Sequence, residues 1–407
     1  MIQAGDTAFV LVSAALVLFM TPGLALFYAG MVRGKNVLGT IMQSFFMIAL
    51  ISMEWVALGY SMSFGPSVAG FTGDLSWAWL MGVGAAPNAD YAATIPHLVF
   101  MIFQCMFAVI TPALITGAFA ERVRFAPFLI FSLLWSILVY NPVCHWVWGA
   151  GGFLKAAGVV DFAGGLVVHL TCGTAALASV LIVGPRKDYG RTQFFPHSLP
   201  LTLLGTGMLW FGWFGFNGGS ALAADGVAAT AFVATHLGGM AGMFMWTVLE
   251  WKHRGKPTTL GAASGAVAGL ATITPGAGFV APWAAIVIGL VAGAACYLGV
   301  LAKARLGYDD SLDVVGIHGL GGLIGTLLAG LFATKAVNAA GVDGLLYGNV
   351  SQLGVQAYGV VVVGAYALVV SWILLKAVNA FMPLRMPLDA EAQGMDLVEH
   401  TETAYSD

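Results

Sequence analysis

The chain is 407 residues long, 59% hydrophobic and 9% charged, with a mean hydropathy of +0.89, whereas a soluble domain carries about 25% charged residues. That excludes a soluble enzyme or binding module, and a formal net charge of −3 offers no basic field for nucleic acid. The chain reads as an all-α integral membrane protein.

Apolar runs near the roughly 20 residues that a bilayer core requires lie at about 7–31, 37–64, 95–119, 125–142, 163–183, 198–218, 227–250, 258–273, 280–302, 312–333 and 350–382. These are eleven predicted helices. A membrane β-barrel would need segments that alternate apolar and polar, and these runs are continuously apolar. With the first helix starting outside, 14 of the 16 basic residues fall on inner connections, from Arg33 and Lys35 through Arg122, Arg124 and Arg186 to Lys376 and Arg385; only Lys155 and Lys335 fall outside. The positive-inside rule then puts the N-terminus outside and the C-terminus in the cytoplasm. No basic stretch precedes the first run, so no signal peptide is expected.

Within the runs, the residues that do not belong to a lipid-facing helix stand out. Glu54 falls inside the second helix and needs a polar partner. Phe103 and Phe107 in the third, Trp146 and Trp148 just beyond the fourth, and Trp213 and Phe216 in the sixth gather aromatic rings toward one mouth. A cation there could rest against Trp148 and Phe107, and Ser220, one turn after Phe216, adds an oxygen acceptor. Phe107 and Phe216 lie too deep for an interfacial belt and would block water and ions. Helix five opens on Asp161, a cap for its N-terminus, and carries His169 in an otherwise apolar stretch. Helix ten opens on Asp309, Asp310 and Asp313, with Asp313 the expected cap, and carries His318. Intramembrane histidines are functional candidates by default. His236 in helix seven has no counterpart and reads as a packing histidine.

The two histidine segments stand 149 residues apart, and Phe27-Tyr28-Ala29-Gly30 in helix one is echoed by Phe216-Asn217-Gly218-Gly219 in helix six. Helices one to five therefore look like helices six to ten, and an odd repeat must enter the membrane from the opposite side: a 5+5 inverted repeat, with a substrate path at its interface and a terminal eleventh helix. At about 1.5 Å per residue each histidine lies roughly 9 Å inside its helix, His169 toward the outside and His318 toward the inside. The four cysteines, Cys105, Cys144, Cys172 and Cys296, lack metal-type spacing, so no cofactor, metal or catalytic residue is expected.

Five motifs, Phe27 through Asn36, Gly117-Ala118-Phe119-Ala120-Glu121-Arg122, Asp161 through Gly165 with His169, Trp213 through Asn217, and Asp313 through Gly319, together with the tail Gly394-Met395-Asp396 through Tyr405, closely resemble the ammonium transporter, methylammonium permease and Rhesus protein family in its bacterial ammonium transporter branch. The resemblance covers nearly the whole chain. It implies a homotrimer in the cell (inner) membrane with a narrow pore through each subunit, carrying ammonium or ammonia and also methylammonium. Trp148, Phe107 and Ser220 match the family's outer recruitment site, Phe107 and Phe216 its gate, and His169 and His318 its paired histidines; Trp213 and Phe103 are expected to line the pore, with Asp161 and Asp313 as structural support. Residues 1–383 form the membrane domain, with repeats at about 7–183 and 198–333 and helix eleven at 350–382, and 384–407 a cytoplasmic regulatory tail on which a trimeric nitrogen-regulatory protein acts at the inner mouth. Glu54, His236 and Ser311, the last where the family has proline, depart from its pattern.

An intact ammonium ion would meet a large desolvation cost in an apolar lumen. The expected mechanism is recruitment at the aromatic mouth, deprotonation below the Phe pair, passage as ammonia, and separate proton transfer through the histidines, so that charge crosses. An ammonium sensor on the same scaffold is the alternative. A membrane cytochrome or metalloenzyme using the histidine pair ranks below both, because the acids that usually support metal-bound histidines are missing beside them.

Overall fold

The computed structural model describes residues 1–405. Its helices are α1 Ala4–Met31, α2 Gly34–Phe64, α3 His97–Phe119, α4 Phe125–Ala156, α5 Gly165–Val183, α6 Leu199–Ala221, α7 Gly226–Arg254, α8 Thr259–Ile273, α9 Pro282–Leu306, α10 Val315–Phe332 and α11 Ser351–Phe381. Ten are long and apolar enough to cross a bilayer; α8, at 15 residues, is shorter. Each apolar run of the sequence has become helix.

The largest departure from the sequence reading is in α4, which does not stop at 142. A π-helical turn at Ser136–Tyr140 passes into a further segment, Asn141–Trp148. Pro142 looks like a terminator in the sequence, but the helix runs on through the π-turn, and the Leu138 carbonyl that an N–H at residue 142 would bond accepts from the Tyr366 hydroxyl at 2.7 Å instead. Trp146 and Trp148 therefore stand on helix rather than on a loop after it. A hairpin of two-residue strands, β1 Ser67–Val68 with β2 Thr72–Gly73, follows α2.

Small residues let the helices approach closely, as packing within a membrane favours. The closest approach that bears on function is between α5 and α10: a Cβ built on Gly319 would sit 3.2 Å from the Gly173 Cα, and one on Gly173 would overlap the Gly319 backbone. Large apolar side chains such as Phe211, Phe244 and Val361 stand exposed on the flanks, where acyl chains would cover them.

Buried ion pairs tie together the helix connections at the opposite end from that hairpin. Arg33 and Arg186 both engage Glu121, and Arg186 also binds Asp309 at 2.8 Å. Burial alone would raise the Glu121 and Asp309 carboxyls, but the neighbouring guanidinium groups outweigh it and hold both below the ordinary carboxylate range. The tail folds back onto this end as α12 Leu388–Gln393 and α13 Met395–His400. Asp396 accepts the Gly39 N–H at 2.8 Å, and the Met395 N–H donates to Asn36 Oδ1 at 2.9 Å. Of the tail assigned to 384–407, residues 406 and 407 lie outside the described residues.

Candidate functional site

The two histidine helices start alike. Each opens on a π-helical turn, Gly165–Leu170 in α5 and Val315–Gly319 in α10, and each turn carries its histidine. In α5 the Asp161 carboxylate accepts four backbone N–H groups, from Gly164 and Gly165 on one oxygen and Leu166 and Val167 on the other, at 2.7–3.2 Å. Burial holds its carboxyl above the ordinary value, and those four donors offset only part of that rise.

In α10 the cap is Asp310, which accepts from Val314 at 3.1 Å and Val315 at 2.8 Å. Asp313, the cap expected from the sequence, is corrected: it lies in the left-handed region, at φ 64°, and forms an ion pair with Lys303. The spacing to each histidine shows why. Asp161 precedes His169 by eight residues and Asp310 precedes His318 by eight, whereas Asp313 stands immediately before the first helical residue, Val314, in a left-handed conformation with its side chain turned to Lys303.

These starts bring the histidines together. His169 and His318 are 1% and 3% exposed, their rings are 5.2 Å apart with planes 23° from parallel, and Nδ1 faces Nδ1 at 3.2 Å. At that separation one Nδ1 donates and the other accepts, so the neutral pair holds one proton between the rings and a second on the outer nitrogen of the accepting ring. Nε2 of His169 has no hydrogen-bond partner and is buried.

The histidines border a constriction of about 10 Å³ lined otherwise by apolar side chains, among them Leu24, Leu114, Val168, Trp213 and Phe216. That is about the least that holds one water molecule. Above it the Phe107 and Phe216 rings pack at 4.2 Å with their planes 38° apart, and Phe216 stacks over His169 at 6.2 Å. Beyond this pair opens a cavity of about 360 Å³ that Trp148, Phe107, Ser220 and Asp161 all border.

Local bonds fix the members of that mouth. The Trp148 indole N–H donates to the Asp161 carbonyl at 2.7 Å, which sets its ring edge-on to Phe107 at 6.1 Å. The Ser220 hydroxyl donates to the Phe216 carbonyl at 2.8 Å, leaving its oxygen free to accept from a ligand. Trp213 lines the constriction and its N–H is taken by Thr274 at 2.9 Å. Phe103 borders neither space: it is fully buried behind Phe107, edge-on at 5.0 Å. The expectation that it lines the pore is therefore corrected; the i, i+4 spacing sets it edge-on behind Phe107.

Other residues that the sequence reading left open also find places. Ser311 accepts from the buried Arg122 guanidinium at 2.6 Å. His236 is exposed on the outer flank of α7 against Trp210 and Phe214, away from both spaces. Among the described residues there is no group of three or more His, Cys, Asp or Glu side chains that could hold a metal.

The geometry has counterparts. Residues 8–405 match the family model described as the Ammonium Transporter Family. The ammonium transporter of Bacillus subtilis (strain 168) is 52% identical over 100% of this chain and 99% of its own length. Ammonium transporter Amt1 of Archaeoglobus fulgidus is 47% identical over 99% of each chain. The crystal structure of Saccharomyces cerevisiae Mep2 superposes with a TM-score of 0.90 at 39% identity, over 95% of this chain and 88% of that one. A structure titled Sensor Amt Protein does so equally well, with a TM-score of 0.90 at 28% identity, over 97% of this chain and 98% of that one.

Proposed function

Because this multi-pass membrane chain belongs to the ammonium transporter family, we propose that it recruits ammonium at the aromatic mouth, strips its proton, passes ammonia through the histidine-lined constriction and moves the proton separately. The observation that carries this reading is the pair of bonded imidazoles in a constriction of about 10 Å³, below the Phe107–Phe216 pair and without a charged side chain in its wall.

Each step has a physical basis. Ammonium is attracted to the faces of Trp148 and Phe107 by about 0.5–2 kcal/mol, more as water is lost, and Ser220 offers an oxygen. It cannot go on intact, because an unpaired cation in a dry apolar lumen loses far more hydration than the walls return. Ammonia is neutral and small enough, and His169 Nε2, buried and unpartnered, gives it a hydrogen-bonding group below the Phe pair. The shared Nδ1–Nδ1 proton lets the pair accept a proton at one end and release another at the far end, each transfer reversing which ring donates. Net charge then crosses with each molecule.

The same reading places eleven helices in the membrane as a 5+5 inverted repeat plus a terminal helix, with the N-terminus outside and the tail in the cytoplasm. The matched π-turns and eight-residue Asp–His spacings of α5 and α10 support the repeat. Three copies assemble side by side, each with its own pore, and a trimeric nitrogen-regulatory protein meets the tail at the inner mouth. Fold alone does not separate a transporter from a sensor; the relatives at 52% and 47% identity, both named ammonium transporters, favour transport. Uptake in a strain without its own ammonium transporters separates the two.

The proposal is tested by recording on solid-supported membranes with purified proteoliposomes. An ammonium jump should give a current that His169→Ala with His318→Ala abolishes or strips of selectivity. Silence from the unaltered protein, or an unchanged selective current from the double variant, would overturn the charge-separating mechanism.

A further inference from the structure

We infer that Glu54 is a positioning residue for the outer mouth: by clamping the turn inside α4, it sets where Trp148 stands. The inference rests on the recruitment reading above. Glu54 lies within α2, is 5% exposed, and takes part in none of the ion pairs among the described residues. A carboxylate in that setting is held only by its hydrogen-bond donors. There are two: Asn141 Nδ2 donates to one oxygen at 2.7 Å and the Ser136 hydroxyl to the other at 3.1 Å.

Both donors sit on α4, and they bracket its π-helical turn: Ser136 is its first residue and Asn141 the residue just after it. A π-turn carries one residue more than the α-helical turn it replaces, so its position fixes the rotation of everything downstream. Downstream is the segment Asn141–Trp148. Glu54 thus holds the turn at both ends, and α2 is shaped to let it do so. A Cβ on Gly59 would come within 2.7 Å of both carboxylate oxygens, so the bare glycine leaves the room they occupy. One turn further out His145, in the same segment, is fixed through Nδ1 to the Ser63 carbonyl at 3.0 Å and through Nε2 to Ser67 at 2.8 Å. The segment ends where the Trp148 N–H meets Asp161.

The test is a double-mutant cycle on labelled methylammonium uptake, using Glu54→Leu, Trp148→Leu and the pair, with trimer yield followed by size exclusion. With Trp148 present, Glu54→Leu should raise the apparent KM on the order of tenfold while the maximal rate changes by less than about twofold. With Trp148 replaced, the same change should move KM less than about twofold. An equal fold-change in both backgrounds, or a loss confined to the maximal rate, overturns the positioning role and leaves the recruitment reading standing. No effect of Trp148→Leu alone overturns the recruitment reading and this inference with it. Should Glu54→Leu not fold, Glu54→Gln, which keeps the volume but turns one acceptor into a donor, goes through the same cycle with the same expectations.

Discussion

At the scale of single residues, the two capping acids have the most definite consequences. Asp310 supplies the acceptors for two N–H groups, one buried and one partly buried, at the start of α10, and removing a cap costs about 0.5–2 kcal/mol. Asp313 pairs with Lys303 where both side chains are partly in solvent, and such pairs are worth at most about 1 kcal/mol. Asp310→Ala should therefore lower the apparent Tm in detergent, whereas Asp313→Gly, which also relieves a left-handed residue, should leave it nearly unchanged. Equal losses would return the capping role to Asp313. The sequence held the signal in the matched eight-residue spacing to each histidine. Three acids within five residues hid it, because capping preference alone does not choose among neighbours. Phe103 failed for a related reason: periodicity puts it on the face of Phe107 but says nothing about which of the two rings reaches the lumen.

At the scale of elements, the pore depends on how closely α5 and α10 cross. The histidines sit four residues before Gly173 and one before Gly319, so a shift at the crossing is felt at the Nδ1–Nδ1 contact. The two glycines are not equivalent. A methyl on Gly319 would be 3.2 Å from the facing Cα, a contact that a few tenths of an ångström relieves, whereas one on Gly173 would overlap backbone. Overpacking of that kind costs about 1–3 kcal/mol. Gly173→Ala should depress the ammonium current well beyond any fall in folded yield, and Gly319→Ala should do so mildly. Indistinguishable currents from the two would show that the crossing does not set the histidine geometry. Helix positions were legible because apolar length and punctuation report them directly. The π-turns were not, since a one-residue excess inside an apolar run leaves its periodicity almost intact, and with them went the outer half of α4 and the station of Trp148.

At the scale of the whole molecule, every assignment of outer and inner rests on which end of the bundle faces the cytoplasm. The basic residues cluster at the end where Glu121, Arg186 and Asp309 interlock and the tail docks, while the Trp148 cavity lies at the other. Charge bias of 14 to 2 favours placing the first end in the cytoplasm. The four native cysteines are all buried, which gives a quiet background for thiol labelling. Lys335 and Lys256 are both exposed, on connections assigned to opposite sides. Lys335→Cys should react with a membrane-impermeant maleimide on intact cells, and Lys256→Cys only after the membrane is opened. The reverse pattern would turn the molecule over, make the aromatic cavity an exit instead of an entrance, and remove the basis for recruitment at Trp148 even if the histidine relay stood.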